Sequence, residues 1–182
     1  MKVAFGDKPP IRIPNCNIPH RPCNESVIKV EGRMPVGEIC NRDTVIVKRD
    51  ETIGEAAKLM RQHHVGDVVV IEERDGLNIP VGIVTDRDLV VEIMATGLDA
   101  VVITVGDIME QELVTVKESV GVFEAIQYMR SKTVRRLPVV GENGTLVGIL
   151  TLDDLLELLS EELLAISRLT NYQRQREARQ RH

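Results

Sequence analysis

The segment GIVTDRDL, residues 82 to 89, places a threonine and an aspartate three positions apart between two apolar stretches. A closely similar segment, GILTLDDL, occupies residues 148 to 155. Aligned residues of the two segments are Gly82 with Gly148, Thr85 with Thr151, and Asp88 with Asp154. One such segment is a weak signal, but the pair indicates an internal duplication.

The duplication extends upstream of these segments in a constant register. VGEIC at residues 36–40 corresponds to VGDIM at residues 105–109, which lies 69 positions later. The same interval relates Met60 to Met129, and it shortens to 66 after a turn that is longer in the first copy. Because a solvated turn tolerates insertions, the register predicts two structurally alike copies.

Each copy has the same predicted order of elements. A helix with apolar residues at four-residue spacing, such as Ala56 and Met60, follows the first strand. Asp-Gly and Asn-Gly turns join the second and third strands. A second helix is predicted over 89–95, closed by Gly97, and from residue 155 onward in the second copy. Predicted strands cover 44–47, 68–71 and 81–84, and 113–116, 137–140 and 146–150.

Thr85 and Thr151 therefore fall at strand-to-helix junctions, where two interpretations are open. Threonine is a favoured N-cap, and an acidic residue in the first turn suits the helix dipole. The same helix N-terminus offers N–H groups to a phosphate, and a carboxylate one turn in can accept the hydroxyls of a ribose. The interpretations are compatible because a hydroxyl oxygen has two lone pairs.

The two copies together resemble a CBS domain pair, also called a Bateman module. The resemblance covers residues 34 to about 160, and rests on HHVGDVVV with GIVTDRDL and on TVRRLPVV with GILTLDDL. It implies an α/β (α+β) fold, with two tandem repeats packed pseudo-symmetrically through their sheets and two clefts between them. The resulting division is a proline-rich arm, 1–33, repeats at 34–96 and 97–160, and a C-terminal helical tail, 161–182.

The resemblance also implies a function. We expect a non-catalytic regulatory module that binds AMP, ADP or ATP and modulates an unidentified partner protein. NAD and S-adenosylmethionine are further candidate ligands, no cofactor is required, and a role for Mg²⁺ is left open. Family members usually pair, so a homodimer is expected. The ribose-binding residues implied by the resemblance are Thr85, Asp88, Thr151 and Asp154.

Basic side chains near the motifs are the candidates for binding phosphate. Family members often carry basic residues before the strand that begins Leu-Pro-Val-Val here, and the planar guanidinium donates two hydrogen bonds at once. The first copy has Gly66 and Asp67 instead, and Asp67 is expected to repel polyphosphate unless Mg²⁺ lies between. A surface role for the arginines, and a solvated helix end for the histidine, are the alternatives. The candidates are Arg87, Arg135, Arg136 and His64.

An adenine base needs apolar walls, which six aliphatic residues beside the motifs are expected to provide. Backbone groups of the flanking strands would bind the edge of the base. Ordinary core packing of the same six residues is the alternative. They are Val45, Val65, Ile83, Val114, Val134 and Ile149.

Composition excludes several classes of protein. Aromatic residues make up 2% of the 182 residues and the net charge is −5, which disfavours a nucleic-acid surface. No apolar run reaches the ~20 residues of a membrane helix, and the start lacks a signal-peptide core. We expect a cytoplasmic protein with reduced thiols. Cys16, His20 and Cys23 offer three soft ligands where zinc usually takes four, so no metal site is predicted.

The last part of the chain is rich in leucine and then in arginine. Leu152, Leu156, Leu159, Leu163 and Ile166 follow helical spacing, which predicts a helix that runs well past the second repeat. A second subunit is the expected cover for so many leucines. The basic tail, residues 168–182, leaves contact with nucleic acid or a membrane open as an alternative to a solvated helix end.

Two other classes of function are kept as alternatives. One is an enzyme acting on an adenine nucleotide, and the other is a nucleic-acid-binding or protein-interaction adaptor that uses the arginine-rich tail. The sequence has no nucleophile–base pairing, no metal-ligand set and no glycine-rich phosphate or dinucleotide fingerprint, so no catalytic residue is predicted.

Overall fold

The computed structural model describes residues 34–109 and 112–180 of the chain. The arm residues considered as metal ligands, Cys16, His20 and Cys23, lie outside the described residues.

Each copy forms a three-stranded sheet with helices around it. The first copy consists of α1 (Val36–Ile39), β1 (Ile46–Lys48), α2 (Ile53–His63), β2 (Asp67–Arg74), β3 (Leu77–Thr85) and α3 (Asp86–Asp88), which continues as a π-helical stretch, Leu89–Met94. The second copy consists of α4 (Val105–Ile108), β4 (Val116–Lys117), α5 (Val122–Lys132), β5 (Arg136–Val140), β6 (Leu146–Thr151) and α6 (Leu152–Gln180).

The two sheets have the same topology. Their strand orders are β1-β2-β3 and β4-β5-β6, and in each the first pair is parallel and the second is antiparallel. The predicted strands are therefore confirmed, although β1 and β4 begin later than expected. Ladder pairing sets those starts, since Ile46 pairs with Val69 and Val116 pairs with Val139.

Local signals explain where the helices begin and end. The Thr52 side chain accepts a hydrogen bond from the Glu55 N–H at the start of α2, and His64 closes the helix in the left-handed region at φ 55°. The predicted helix over 89–95 is present, but it begins at Asp86 and is π-helical from Leu89. Gly97 follows it with φ 72°, as a helix-ending glycine requires.

The short helix that opens each copy packs against the other copy. Val36 and Cys40 are buried in a cluster with Leu137 and Leu150, while Val105 belongs to the core of the first copy. Backbone hydrogen bonds hold both crossings, from the N–H of residue 37 to the carbonyl of residue 118 and from that of residue 106 to residue 49, each 2.9 Å long. The two copies are thus interleaved rather than merely adjacent.

The sheets also meet directly. Val69 and Ile71 of β2 form a third buried cluster with Ile149 of β6, and Ile83 and Leu146 pack at its edge. This cluster confirms the expectation that the repeats pack through their sheets.

The last helix, α6, extends for 29 residues, which confirms that it runs well past the second repeat. Leu155 is 2% exposed and packs in the core of the second copy, whereas Leu163 is 67% exposed. Among the described residues, no helix combines the length and the apolar character needed to cross a membrane.

Candidate functional site

An open cleft of about 360 Å³ lies where the first copy's Thr-x-x-Asp motif meets the second copy. Its lining combines residues 83–88 of the first copy with residues 112–114 and 134–138 of the second. The predicted site residues that it brings together are Ile83, Thr85, Arg87, Asp88, Val114, Val134, Arg135 and Arg136.

Thr85 and Asp88 form a reciprocal hydrogen-bonded turn at the start of α3. The backbone N–H and the hydroxyl of Thr85 both donate to Oδ2 of Asp88 at 2.8 Å, and the Asp88 N–H donates to the Thr85 hydroxyl oxygen at 3.2 Å. This arrangement is a capping box, so the capping interpretation is confirmed. Because both bonds to the Asp88 carboxylate use Oδ2, the other carboxylate oxygen takes no part in the capping box.

The same turn recurs at the second motif, and a closely related capping box opens α4. Thr151 and Asp154 reproduce it with donor–acceptor distances of 2.7, 2.7 and 3.2 Å. Thr104 and Asp107 form a capping box at the start of α4, outside the lining of the cleft. Because this third turn lies outside the cleft, a substitution in it measures the loss of a helix cap without the loss of a ligand contact.

Three arginines reach the cleft, and one of them is paired across the two copies. Nη1 of Arg136 lies 3.4 Å from Oδ2 of Asp67, and the two side chains are 30% and 17% exposed. The Nε donor of Arg136 is buried and has no hydrogen-bond partner within residues 34–109 and 112–180. Arg87 and Arg135 are exposed at the cleft. The cleft therefore offers cationic donors that the protein itself does not fully use.

The pairing of Asp67 changes its expected role. Burial raises the pKa of the Asp67 carboxyl, the Arg136 guanidinium acts in the opposite direction, and the carboxylates of Asp86 and Asp154 raise the pKa further. Burial outweighs the single attractive contact, so the net direction is upward. The Asp67 carboxylate therefore pairs with the Arg136 guanidinium, and it also interacts with the carboxylate of Asp154.

The surroundings of the second motif are acidic by comparison. In the register of the duplication, Asp153 stands in place of Arg87, and Gly66 and Asp67 stand in place of Arg135 and Arg136. No arginine therefore occupies any of these three positions. The two motifs share one geometry but have different charge around them.

The remaining predicted residues lie elsewhere than this cleft. His64 caps α2 and is exposed, and Thr133 occupies the same left-handed position after α5. Val45 and Val65 pack against the first core, and Ile149 is buried between the sheets. Their assignments to phosphate or adenine stay predictions.

The cleft also contains residues that the sequence did not single out. Its lining includes Asp86, Glu112, Leu113 and Pro138. Asp86 adjoins Arg87 in the motif and donates its backbone N–H to the carbonyl of Gly66 at 2.9 Å. The sequence could have indicated these four residues only by their proximity to the predicted site, since each lies within two positions of a predicted site residue.

Comparison with known proteins decides the family. The sequence model of the CBS domain matches residues 36–95 and 105–161. The chain belongs to the CBS-domain family. As a tandem CBS pair, it is a module of a regulatory family, and both matched segments contain one complete Thr-x-x-Asp motif.

Two curated relatives of this CBS-domain chain differ in the share of their own length that the match covers. MK0525 of Methanopyrus kandleri is 42% identical over 123 residues, which are 68% of this chain and 61% of that protein. The CBS domain-containing protein YhcV of Bacillus subtilis is 38% identical over 129 residues, which are 71% of this chain and 88% of YhcV. The match thus spans less than two thirds of the first relative and most of the second.

A solved structure with a bound nucleotide has the same fold. The cytosolic domain of the Mg²⁺ channel MgtE, in complex with ATP, superposes with a TM-score of 0.58 at 27% identity. The alignment covers 68% of this chain and 48% of that one.

Across residues 34–109 and 112–180, no group of three or more histidine, cysteine, aspartate or glutamate side chains is arranged to hold a metal ion.

Proposed function

We propose that this CBS pair binds an adenine nucleotide, AMP, ADP or ATP, in the cleft between its copies. Binding of the nucleotide modulates a partner protein, and the CBS pair itself catalyses no reaction. The proposal places the ribose on Asp88 and the phosphates on the arginines at residues 87, 135 and 136. The base lies between Ile83 and the valines at residues 114 and 134. We also propose a cytoplasmic homodimer as the working state.

One observation carries this proposal. A single cleft joins a carboxylate whose Oδ1 takes no part in its capping box with three arginines and an apolar wall. Ribose hydroxyls, phosphate oxygens and a purine face require these three kinds of contact. The ATP bound by the MgtE domain supports the same class of ligand for a chain of this fold.

A thermal-shift panel of AMP, ADP, ATP, NAD and S-adenosylmethionine tests the proposal. A ligand at 100 times its Kd stabilises the folded state by about 2.7 kcal/mol. For a chain of this size, that corresponds to a rise in Tm of roughly 5–11 °C. No shift with any adenine nucleotide at millimolar concentration would reject the nucleotide-binding function. Chromatography of the nucleotides after long incubation tests the absence of turnover.

Replacing the two adjacent cleft arginines, Arg135 and Arg136, should weaken binding more as the number of phosphates rises. In the Arg135→Ala, Arg136→Ala variant, each lost charge-assisted bond should cost about 1.5–3 kcal/mol, so ATP loses more affinity than AMP and adenosine loses least. Calorimetric titration of the three ligands measures the trend. An equal loss for adenosine and ATP would show that the arginines do not contact phosphate.

Neutralising Asp67 should have the opposite effect. Asp67→Asn keeps the side-chain volume but removes the charge that lies 3.4 Å from Arg136. Affinity for ATP should rise about fivefold, the size expected for an ion pair of ~1 kcal/mol at a partly exposed site. Asp43→Asn, an exposed carboxylate outside the cleft lining, is the matched control. Weaker ATP binding in Asp67→Asn would mean that the carboxylate positions Arg136 rather than competing with phosphate.

A further inference from the structure

The ion pair between Asp67 and Arg136 joins the two copies at the edge of the cleft. Oδ2 of Asp67, at the start of β2, lies 3.4 Å from Nη1 of Arg136, at the start of β5, and the Asp67 side chain is 17% exposed. The pair between Lys117 and Glu142, by contrast, lies within one copy. Arg136 lines the cleft and Asp67 does not, so a ligand in the cleft reaches the cation of this pair and not its carboxylate.

The other charged groups that act on the Asp67 carboxyl are themselves carboxylates. Asp86 lies at the start of α3 and Asp154 in the first turn of α6, and both oppose the ionisation of Asp67. Thr85, which faces Asp67 across the β2–β3 ladder, is uncharged. Burial, followed by these two carboxylates, raises the pKa of Asp67 above the ordinary value of an aspartate, and Arg136 acts against that rise. Arg136 is therefore the contact that favours the ionised form of Asp67.

A nucleotide phosphate bound to Arg136 would change this balance of charge. A phosphate group carries a charge of about −1.5 to −2 at neutral pH, and its oxygens accept charge-assisted hydrogen bonds from a guanidinium. Such a phosphate would share the guanidinium that Asp67 now holds at 3.4 Å, and it would bring a further negative charge close to that carboxylate. Nearby like charges favour the protonated form of a buried carboxyl group.

We propose that Asp67 takes up a proton from solvent when the phosphate of a nucleotide binds Arg136, so that protonation of Asp67 and nucleotide binding favour each other. This inference rests on the proposed function and specifies how pH regulates the same cleft. The proton neutralises Asp67, which leaves the whole positive charge of Arg136 to the phosphate. Adenosine lacks a phosphate, so its binding is not coupled to Asp67.

The contribution of Asp67 to ATP affinity should depend on pH in one direction. Above the pKa that Asp67 has in the complex, the carboxylate is ionised with and without ligand and competes fully with phosphate. Below the pKa that it has in the free protein, Asp67 is protonated in both states and does not compete. Affinity due to this group therefore rises as the pH falls from the first value to the second, and this window lies above the ~3.9 of an ordinary aspartate.

Calorimetric titration of ATP into the parent chain and into Asp67→Asn, from about pH 8 to about pH 4.5, tests the coupling. The variant should bind ATP about fivefold more tightly at the upper end, and the two affinities should converge as the pH falls. The ratio of the affinities cancels the protonation of ATP itself, which is the same for both chains. A fivefold ratio corresponds to a maximum of about 0.4 more proton taken up per ATP by the parent, measurable in buffers of different ionisation enthalpy.

Two controls isolate the phosphate and the carboxylate. Adenosine should give a ratio close to one at every pH. Asp75→Asn removes a carboxylate from the turn at the other end of β2, roughly 25 Å along the strand from Asp67. Asparagine tolerates the φ of 53° at that position, so this variant should fold and should show the same pH dependence as the parent.

A ratio near five at every pH would show that Asp67 competes with phosphate without taking up a proton. A ratio near one throughout would show that phosphate does not disturb the Asp67–Arg136 pair. Either result overturns this inference and leaves nucleotide binding in place, whereas the absence of binding by both chains at millimolar nucleotide rejects the proposed function and the inference together.

NMR gives a second measurement that uses the parent chain alone. The ¹³C signal of the Asp67 carboxyl, assigned by its loss in Asp67→Asn, should titrate at a higher pH in the presence of saturating ATP than in its absence. An identical titration in the two samples would overturn the inference, even if the affinities of the variant followed the expected course.

Discussion

The Asp88→Ala variant should bind AMP about 10- to 150-fold more weakly than the parent chain. A ribose hydroxyl donated to a carboxylate is a hydrogen bond to a charged group, worth about 1.5–3 kcal/mol. Oδ2 of Asp88 already accepts both bonds from Thr85, which holds the side chain in place before the ligand arrives. The loss should therefore reflect the missing ribose contact. Isothermal titration calorimetry measures it.

Capping must be separated from binding, because Asp88 also closes the turn that begins α3. Asp107→Ala removes an equivalent capping box at the start of α4, where the side chain lines no part of the cleft. Both variants should lose about 1 kcal/mol of unfolding free energy. Only Asp88→Ala should lose affinity. If both lose affinity equally, the effect of Asp88 is one of stability and not of contact.

The second motif decides how many sites are occupied. Asp154 has the geometry of Asp88, but Asp153 and Asp67 stand where the first cleft has arginines. Asp154→Ala should therefore change AMP affinity much less than Asp88→Ala. An Asp88→Ala, Asp154→Ala variant that binds AMP as tightly as the parent would exclude both carboxylates as ribose ligands.

Local chemistry made the repeated elements predictable. The Asp75–Gly76 turn has φ 53° and 74°, and Gly144 has φ 80°, which are the left-handed values that Asp-Gly and Asn-Gly turns supply. Strand alternation and helical spacing then fixed the remaining elements of each copy to within a few residues. The β1 and β4 starts were less accurate because their bounds depend on pairing with a distant strand.

The combination of the two copies was not predictable from such patterns. A four-residue helix such as α1 carries no local information on which core it will join, and comparison of the copies treats each as self-contained. For the same reason, the sequence indicated Thr85 and Arg135 as candidates but not that they line one cleft. Asp67 and Arg136 are 69 positions apart, so they occupy equivalent positions in the two copies. They form an ion pair because these equivalent positions face each other across the two copies.

The crossing of the copies yields the other prediction with a large effect. Gly148→Ala should destabilise the protein by about 2–3 kcal/mol, at the upper end of the usual range for overpacking. A Cβ on Gly148 would lie 2.5 Å from the backbone oxygen of Asn41 and 2.9 Å from Sγ of Cys40. That oxygen accepts the Ile149 N–H at 2.9 Å, and the Asn41 N–H donates back to the Ile149 carbonyl. The methyl group therefore pushes apart two backbone segments and not a side chain that can rotate away.

Gly82→Ala is the matched control, because Gly82 is the equivalent position in the first copy. Its Cβ would meet the Met109 side chain, with Sδ at 2.6 Å, and a methionine can move with little cost. Thermal unfolding should show a fall in Tm of roughly 4–12 °C for Gly148→Ala and a smaller fall for Gly82→Ala.

Cys40 provides a local readout: it is 8% exposed and burial raises the pKa of its thiol, so it should react slowly in the parent chain. Displacement of the segment around Asn41 exposes that thiol, and alkylation of Cys40, followed by peptide mass spectrometry, should accelerate in Gly148→Ala alone. Equal stability of the two variants, with Cys40 protected in both, would mean that the first helix does not hold the second copy together in solution.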